Sequence, residues 1–182
     1  MKAIPVPEIE GMYRFEPTPH LDQRGFFSRT FDRHVVASAG IDPDGFVQDS
    51  VSRSRKGVIR GMHLRGGMGE AKLVRCSFGA IFDVVVDLRP GSPTFRTVKT
   101  FELSGETQVS LYIPAGCAHG FQSLTDPSDV SYRIDRAHDP AEDITISYKD
   151  AELDISWPLS ATLVSERDEH APDLSEALKT LR

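Results

Sequence analysis

His63, Lys72, His119 and Tyr132 each lie in or beside a strand-like segment of the sequence. An imidazole titrates near neutral pH, so a histidine can take up or release a proton during a reaction. A lysine nearby can stabilise the negative charge that proton removal creates. A fold of strands that brought these side chains to one cavity would therefore contain the components of an acid–base active site.

Each of these residues also has a purely structural explanation. A lone histidine is more often a surface or satisfied core residue than a catalyst, and His119 follows a turn. Tyr132 alternates with apolar residues, which suits a core tyrosine as well as a proton donor. Lys72 has the parity of the apolar residues that follow it, and a cation there needs a partner or a ligand. Arg60 precedes His63 by three positions, so an extended strand would point the two to opposite faces.

The elements that must position these residues are mainly strands. The segments Leu73–Phe78 and Ala80–Leu88 are rich in apolar and β-branched residues, and Gly79 between them predicts a hairpin. Apolar residues alternate with polar ones over 109–113 and 130–134, the period of a strand with one buried face. Many short strands separated by turns predict an all-β sandwich or barrel.

Helix signals are confined to the flanks. Asp32 to Ala39 is predicted to form a short helix that ends at Gly40. Asp173-Leu174-Ser175-Glu176 resembles a capping box ahead of one apolar face, formed by Ala177, Leu178 and Leu181. With 182 residues and 39% hydrophobic content, the chain is expected to form a single domain over 1–182.

Composition excludes several classes of partner. A net charge of −6 argues against general nucleic-acid binding, and no apolar run approaches the ~20 residues of a membrane span. The N-terminus has no basic stretch followed by an apolar one. Cys76 and Cys117 are far apart in the sequence and lack CxxC spacing, which indicates reduced core thiols in a cytoplasmic protein.

A Gly-x5-His stretch ending at His63 and a Pro-x-Gly-x2-His stretch ending at His119 resemble the cupin pattern. A metal-binding cupin has a second histidine two residues after the first and a glutamate shortly beyond. Position 65 is Arg65, a cation that cannot bind a metal ion. His63 and His119 alone are too few ligands for a catalytic transition-metal site, so we expect no metal.

Nine short segments of the chain form a set in a fixed order: DQRGFF (22–27), QDSVS (48–52), RGMH (60–63), KLV (72–74), DVVVDLR (83–89), GSPTF (91–95), IPAG (113–116), AHGF (118–121) and ISWP (155–158). In this order they resemble one enzyme family, the dTDP-4-dehydrorhamnose 3,5-epimerases, and the match runs from about residue 10 to residue 175. The resemblance implies a cupin-type jelly-roll barrel with short flanking helices, a homodimer, and a nucleotide-linked 4-keto-6-deoxyhexose as substrate. It implies no metal and no organic cofactor.

The resemblance also implies catalytic roles. A C4 ketone acidifies the protons on C3 and C5, and His63 would remove one of them. Asp168 would orient the imidazole, Lys72 would donate to the enolate oxygen, and Tyr132 would return a proton on the opposite face. Without the resemblance, Asp168 reads as a solvated charge at a turn or helix start. Asp83 alternates with apolar residues, so it is expected to be buried and paired with a histidine or an arginine.

Further residues match the family's ligand-contacting positions or depart from them. Arg24, Arg60 and His119 match contacts to diphosphate or sugar, Phe27 could line the base pocket, and Arg167 stands where lysine is usual. The departures are Arg29 in place of glutamate, Gln48-Asp49-Ser50 in place of Gln-x-Asn, and His138 in place of an aromatic residue. All of the departures belong to the nucleotide end, so the base need not be thymine.

Two alternatives to the epimerase remain at this stage. A sugar 3,4-ketoisomerase on the same scaffold would move the carbonyl and would not need an inverting acid at Tyr132. A non-catalytic cupin would only bind a nucleotide sugar or another small ligand. Which of C3 and C5 is inverted depends on how the ring sits between base and acid, and the sequence does not specify that geometry.

Overall fold

A computed structural model describes residues 1–180 as two antiparallel sheets and one small hairpin. In chain order the strands are β1 (Lys2–Pro5), β2 (Tyr13–Glu16), β3 (His20–Asp22), β4 (Gly25–Phe27), β5 (Gln48–Ser54), β6 (Ile59–Arg65), β7 (Lys72–Phe78), β8 (Ala80–Asp87), β9 (Val98–Ser104), β10 (Ser110–Ile113), β11 (Cys117–Ser123), β12 (Ser128–Ile134) and β13 (Asp143–Thr145). The six-stranded sheet has the order β1-β2-β10-β7-β12-β5, and the five-stranded sheet has the order β13-β6-β11-β8-β9. Strands β3 and β4 form the hairpin.

The inner faces of the two sheets enclose the main core. Buried apolar side chains from both sheets meet there, among them Val74, Ile81, Val85, Leu111, Phe121 and Val130. Cys76 and Cys117 belong to this core, where burial raises the pKa of the thiols to about 11 and about 12. Two packed antiparallel sheets with strands crossing between them confirm the predicted all-β, cupin-type jelly roll.

The hairpin predicted over β7 and β8 is wrong. Strand β7 pairs with β10 and β12, whereas β8 pairs with β11 and β9, so the two belong to different sheets. Gly79 has φ +72°, and a Cβ there would lie 2.2 Å from the Thr125 hydroxyl oxygen. This glycine therefore turns the chain from one sheet to the other instead of closing a hairpin.

Short helices flank the sheets: α1 (Arg33–Ser38), α2 (Glu166–Glu169), α3 (Leu174–Thr180) and a 3-10 turn at Pro140–Glu142. As predicted, a short helix follows Asp32, and the chain leaves it at Gly40 with φ +77°. The Asp32 carboxylate caps this helix by accepting from the backbone N–H groups of His34 and Val35. No helix within residues 1–180 has the length and hydropathy needed to cross a bilayer.

Helix α3 packs on the outer face of the five-stranded sheet. The Asp173 carboxylate accepts a hydrogen bond of 2.9 Å from the Glu176 backbone N–H, which confirms the predicted cap. Leu174 and Ala177 are buried against that sheet. Leu181, the last residue of the predicted apolar face, lies outside the described residues.

Candidate active site

A cavity of about 510 Å³ lies between the sheets, beside the core. The five-stranded sheet contributes Arg60, His63, His119 and Phe121, and the six-stranded sheet contributes Ser52, Lys72, Tyr132 and Ile134. Helix α2 and the segment before it close one side with Leu163, Val164, Ser165, Arg167 and Asp168. Charged and polar groups from distant parts of the chain therefore meet in one apolar hollow.

An irregularity in β6 places both Arg60 and His63 on this cavity. Arg60 pairs with Phe121 and His63 pairs with His119, so three steps along β6 match two steps along β11. The sequence prediction that the two side chains point to opposite faces is therefore wrong, because it assumed a regular strand. Gly61 has φ +139°, and a Cβ on it would lie 2.6 Å from the Gly120 Cα, so both positions require glycine.

His63 and Asp168 are within hydrogen-bond distance, with 2.7 Å between Nε2 and Oδ1. An ionised carboxylate only accepts hydrogen bonds, so Nε2 carries the hydrogen and Nδ1 keeps the lone pair. Oδ2 accepts from the Gly61 backbone N–H at 3.3 Å. Two donors from β6 thus fix the carboxylate, and the carboxylate fixes the imidazole.

The short helix α2 brings Asp168 to this position. The Ser165 hydroxyl caps the helix by accepting from the Asp168 backbone N–H at 3.1 Å. Asp168 is the buried residue of α2, so it is not the solvated charge that its local sequence suggests. Burial raises the pKa of Asp168, but the hydrogen bonds and the nearby His63 lower it more, and the net pKa is below the ordinary value.

A second histidine–carboxylate pair lies on the neighbouring strands. His119 donates from Nε2 to Asp83 Oδ2 at 2.8 Å, and both residues are buried. The prediction that Asp83 is buried and paired with a histidine or an arginine is confirmed. The same logic as for His63 leaves Nδ1 of His119 as the acceptor nitrogen.

Tyr132 reaches the cavity from the six-stranded sheet. Its hydroxyl lies 3.4 Å from the Ser52 hydroxyl, and its ring is edge-on to His119 at 6.2 Å between centroids. Burial raises the pKa of Tyr132 well above its ordinary value, against a smaller lowering by Ser52. The phenol is therefore protonated at neutral pH and available as a donor.

Lys72 lies on the inward-facing parity that its sequence context predicts, and its side chain is 10% exposed. Its ammonium nitrogen is 3.0 Å from Oε1 of Glu70, a residue that the sequence analysis missed. Glu70 stands two positions earlier, in the segment just before β7, and its side chain reaches the Lys72 ammonium from there. The sequence analysis missed Glu70 because the glycines over 66–69 indicate a loop and not the approach to a strand.

Two arginines border the cavity. The Arg60 guanidinium donates to the Ser54 hydroxyl and to the Arg53 carbonyl. Arg167 donates to the Thr145 hydroxyl and, at 3.0 Å, to Asp143 Oδ2. Both side chains retain free N–H groups, and a guanidinium suits pairs of phosphate oxygens.

The chain is similar to known proteins over almost its whole length. A family model described as dTDP-4-dehydrorhamnose 3,5-epimerase matches residues 7–176. The dTDP-4-dehydrorhamnose 3,5-epimerase of Pseudomonas aeruginosa is 41% identical over 180 residues, which cover 97% of this chain and 98% of that protein. The chain belongs to the dTDP-4-dehydrorhamnose 3,5-epimerase family. The resemblance seen in the sequence is thereby confirmed.

Solved structures of related epimerases agree. The Legionella pneumophila dTDP-6-deoxy-D-glucose-3,5-epimerase in complex with dTDP-4-keto-L-rhamnose has a TM-score of 0.89 and 39% identity, covering 96% of this chain and 93% of that chain. A 3'-monoepimerase from Streptomyces bikiniensis in complex with dTDP-quinovose has a TM-score of 0.89 and 35% identity, covering 100% and 92%. These matches support the epimerase interpretation and neither of its two alternatives.

In this epimerase, six of the residues that the sequence analysis assigned to ligand binding do not line the cavity. Three of them precede α1. The Arg24 guanidinium pairs with Asp22 at 2.5 Å and is 90% exposed, and the Phe27 ring is largely exposed on the β3–β4 hairpin. Arg29 pairs with the α1 cap, Asp32, at 3.0 Å.

The other three lie beside the cavity without lining it. Gln48 and Ser50 are on β5, paired with Ile134 and Tyr132 of β12. His138 is exposed, and its Nδ1 lies 3.1 Å from the Arg65 guanidinium. The residues that line the cavity therefore all come from this chain, and these six side chains lie outside that lining.

Position 65 bears on metal binding. Arg65 is buried and forms an ion pair with Glu70, with 2.8 Å between Nε and Oε2. Over the described part of the chain, no three histidine, cysteine, aspartate or glutamate side chains are grouped so that they could hold a metal ion.

Replacing Asp168 by asparagine tests how much its carboxylate contributes to the stability of the fold. An amide offers one oxygen, whereas His63 and the Gly61 N–H both donate, so one donor loses its acceptor. We expect Asp168→Asn to cost about 1.5–3 kcal/mol of unfolding free energy at pH 7. The pKa of Asp168 is lower in the native protein than in the unfolded chain. The ionised carboxylate therefore contributes its full stabilisation at a pH above the unfolded-state pKa, and this stabilisation is lost as the pH falls through the native-state pKa. Urea unfolding at pH 7 and pH 3 should therefore give a smaller difference at pH 3, and an equal difference at both would contradict this.

Proposed function

We propose that the epimerase inverts C3, C5 or both carbons of a nucleotide-linked 4-keto-6-deoxyhexose, with His63 as base and Tyr132 as acid. The C4 ketone makes the neighbouring protons acidic, so Nδ1 of His63 removes one of them and an enolate forms. The Tyr132 hydroxyl returns a proton to the same carbon from the other side of the ring. Removal on one face and return on the other inverts the configuration.

The observation that carries this proposal is that the base and the acid come from different sheets. His63 belongs to β6 of one sheet, and Tyr132 belongs to β12 of the other, and both line the cavity between the sheets. A flat sugar ring seated there would have an acceptor nitrogen on one side and a protonated phenol on the other. A cavity of about 510 Å³ is of the size that takes a small-molecule ligand.

Lys72 is proposed to donate to the enolate oxygen. It is a buried cation in an apolar hollow, where a developing negative charge gains more from it than it would in water. Arg60 and Arg167, at the border of the same cavity, are proposed to hold the diphosphate, and His119 is proposed to contact the sugar.

We further propose a homodimer in which the nucleotide end is completed by the partner subunit. Strand β5 is an edge of the six-stranded sheet and exposes Val51, and the adjacent Val47 is also exposed. Leu21 and Phe27 are exposed on the β3–β4 hairpin. Sedimentation measurements test this: a monomer at micromolar concentration with full activity would contradict it.

The proposed compartment is the cytoplasm. Cys76 and Cys117 are both buried and free, which suits a protein that keeps its thiols reduced. Burial also raises the pKa of both thiols, so their reactive thiolate forms are suppressed.

The test of the reaction is incubation in deuterated water with 4-keto-6-deoxyhexoses linked to dTDP, CDP, GDP and UDP. Proton NMR should show deuterium at C3, at C5 or at both in an inverted product. A product with a 3-keto group would instead support the ketoisomerase, and binding without exchange on every carrier would support the non-catalytic cupin. The nucleotide carrier that gives the highest kcat/KM identifies the nucleobase. The departures from the family pattern at Arg29, Ser50 and His138 leave the identity of that nucleobase open.

A further inference from the structure

A row of side chains with alternating positive and negative charge runs behind the cavity. Lys72 faces Glu70 Oε1 at 3.0 Å, and Glu70 Oε2 lies 2.8 Å from Arg65 Nε. A second guanidinium nitrogen of Arg65 lies 3.6 Å from Asp143 Oδ1, and Asp143 Oδ2 accepts from Arg167 at 3.0 Å. Lys72 and Arg167 line the cavity, whereas Glu70, Arg65 and Asp143 lie behind it.

Hydrogen bonds and burial hold the Arg65 guanidinium, so it can fix the position of its neighbours in this row. Its side chain is 4% exposed, and its NH1 group donates to the carbonyl oxygens of Ala137 and Asp139. Its NH2 group lies 3.1 Å from His138 Nδ1. These contacts fix the plane of the guanidinium, which has five donors in a rigid fork.

Glu70 depends on Arg65 and Lys72 together. Its side chain is 7% exposed, and an unpaired carboxylate in that position would be strongly destabilising. The Arg65 Nε–H is not aligned on Oε2, so that contact is an electrostatic pair and not a directed hydrogen bond. Glu70 thus lies between two buried cations, of which Arg65 also has Asp143 nearby and only Lys72 faces the cavity.

A lysine ammonium has a flexible four-carbon stem and no preferred direction of its own. We propose that Glu70 is a positioning residue, which holds the Lys72 ammonium in the cavity, and that Arg65 fixes Glu70 for this purpose. The inference rests on the proposed role of Lys72 as donor to the enolate oxygen. It assigns a part in the reaction to a carboxylate that does not itself line the cavity.

Two matched double variants test the positioning role. R65M/E70M and R65Q/E70Q both remove one positive and one negative charge, so the net charge is unchanged in each. Glutamine keeps a carbonyl oxygen that can accept from Lys72, whereas methionine offers only a weak sulfur acceptor. We expect kcat of R65M/E70M to be about 10-fold or more below that of R65Q/E70Q, with KM changed less than kcat. Equal kcat in the two folded variants overturns the proposal.

The variant K72M separates this inference from the function on which it rests. If Lys72 stabilises the enolate, K72M alone lowers kcat, and full activity in K72M overturns the proposed role of Lys72. If Glu70 acts through Lys72, adding R65M/E70M to K72M lowers kcat little further. If kcat of the triple variant falls by the product of the fold-losses measured for K72M and for R65M/E70M, the inference is overturned. The proposed role of Lys72 would remain intact.

The single variant E70Q repeats the comparison if the methionine pair does not fold. The introduced amide keeps an acceptor for Lys72 but no negative charge. Arg65 is retained in this variant, unlike in R65Q/E70Q, so its buried cation repels the Lys72 ammonium and displaces it. We expect its kcat to fall and the loss to disappear in the K72M background. An unchanged kcat, or a loss that persists in K72M, overturns the proposal.

Discussion

Replacing His63 by alanine is expected to lower kcat by about 100- to 10,000-fold, the usual contribution of a general base. The substitution removes the Nδ1 lone pair that would take the C3 or C5 proton, so deuterium uptake from solvent should fall with product formation. KM should change little, because the arginines that would hold the diphosphate remain. Proton NMR in deuterated water measures exchange and inversion in one sample.

The matched control is His34→Ala. His34 is exposed on α1 and does not line the cavity, so this variant should keep wild-type kcat. Loss of the His63 side chain leaves the buried Asp168 carboxylate with one donor fewer, so circular dichroism must show that the variant is folded before kcat is compared. Deuterium uptake by His63→Ala at the wild-type rate would remove His63 from the role of base.

Replacing Tyr132 by phenylalanine should separate two steps that occur together in the wild type. The inverted product should form about 100- to 10,000-fold more slowly, because the donor on the second face is gone. His63 is intact in this variant, so it can still remove the proton and return a deuteron to the same face. We therefore expect deuterium in substrate of unchanged configuration, a species that the His63 variant should not produce.

Tyr112→Phe is the control for this experiment. Tyr112 lies on β10 of the same sheet but outside the cavity, so loss of its hydroxyl should leave the rate of inversion unchanged. Full turnover by Tyr132→Phe would show that another group is the acid and would favour carbonyl migration over inversion. Loss of both exchange and inversion would indicate that the phenol also stabilises the enolate.

Much of the fold could be predicted because strand signals are local. Alternation with period two over 130–134 identified the strand that carries Tyr132, and parity identified the inward direction of Lys72. The helix over Asp32 to Ala39 and the cap at Asp173 were recognisable because the start and stop signals of a helix lie within its first and last turns. The choice of strand partner was not local, and the hairpin prediction over β7 and β8 failed for that reason.

The sequence by itself determined the types of chemical group in the site and the faces of the strands on which most of them lie. Only the tertiary structure decided which groups meet. His63 and Asp168 are 105 positions apart, and neither residue's neighbours predict the 2.7 Å contact between them. The irregularity at Gly61, which brings Arg60 and His63 to the same cavity, depends on the backbone of β11 at Gly120. Glu70 is the partner of Lys72 only in the tertiary structure, where Arg65 is buried against the same carboxylate, because a buried charge is stabilised by the charges around it and not by its place in the sequence.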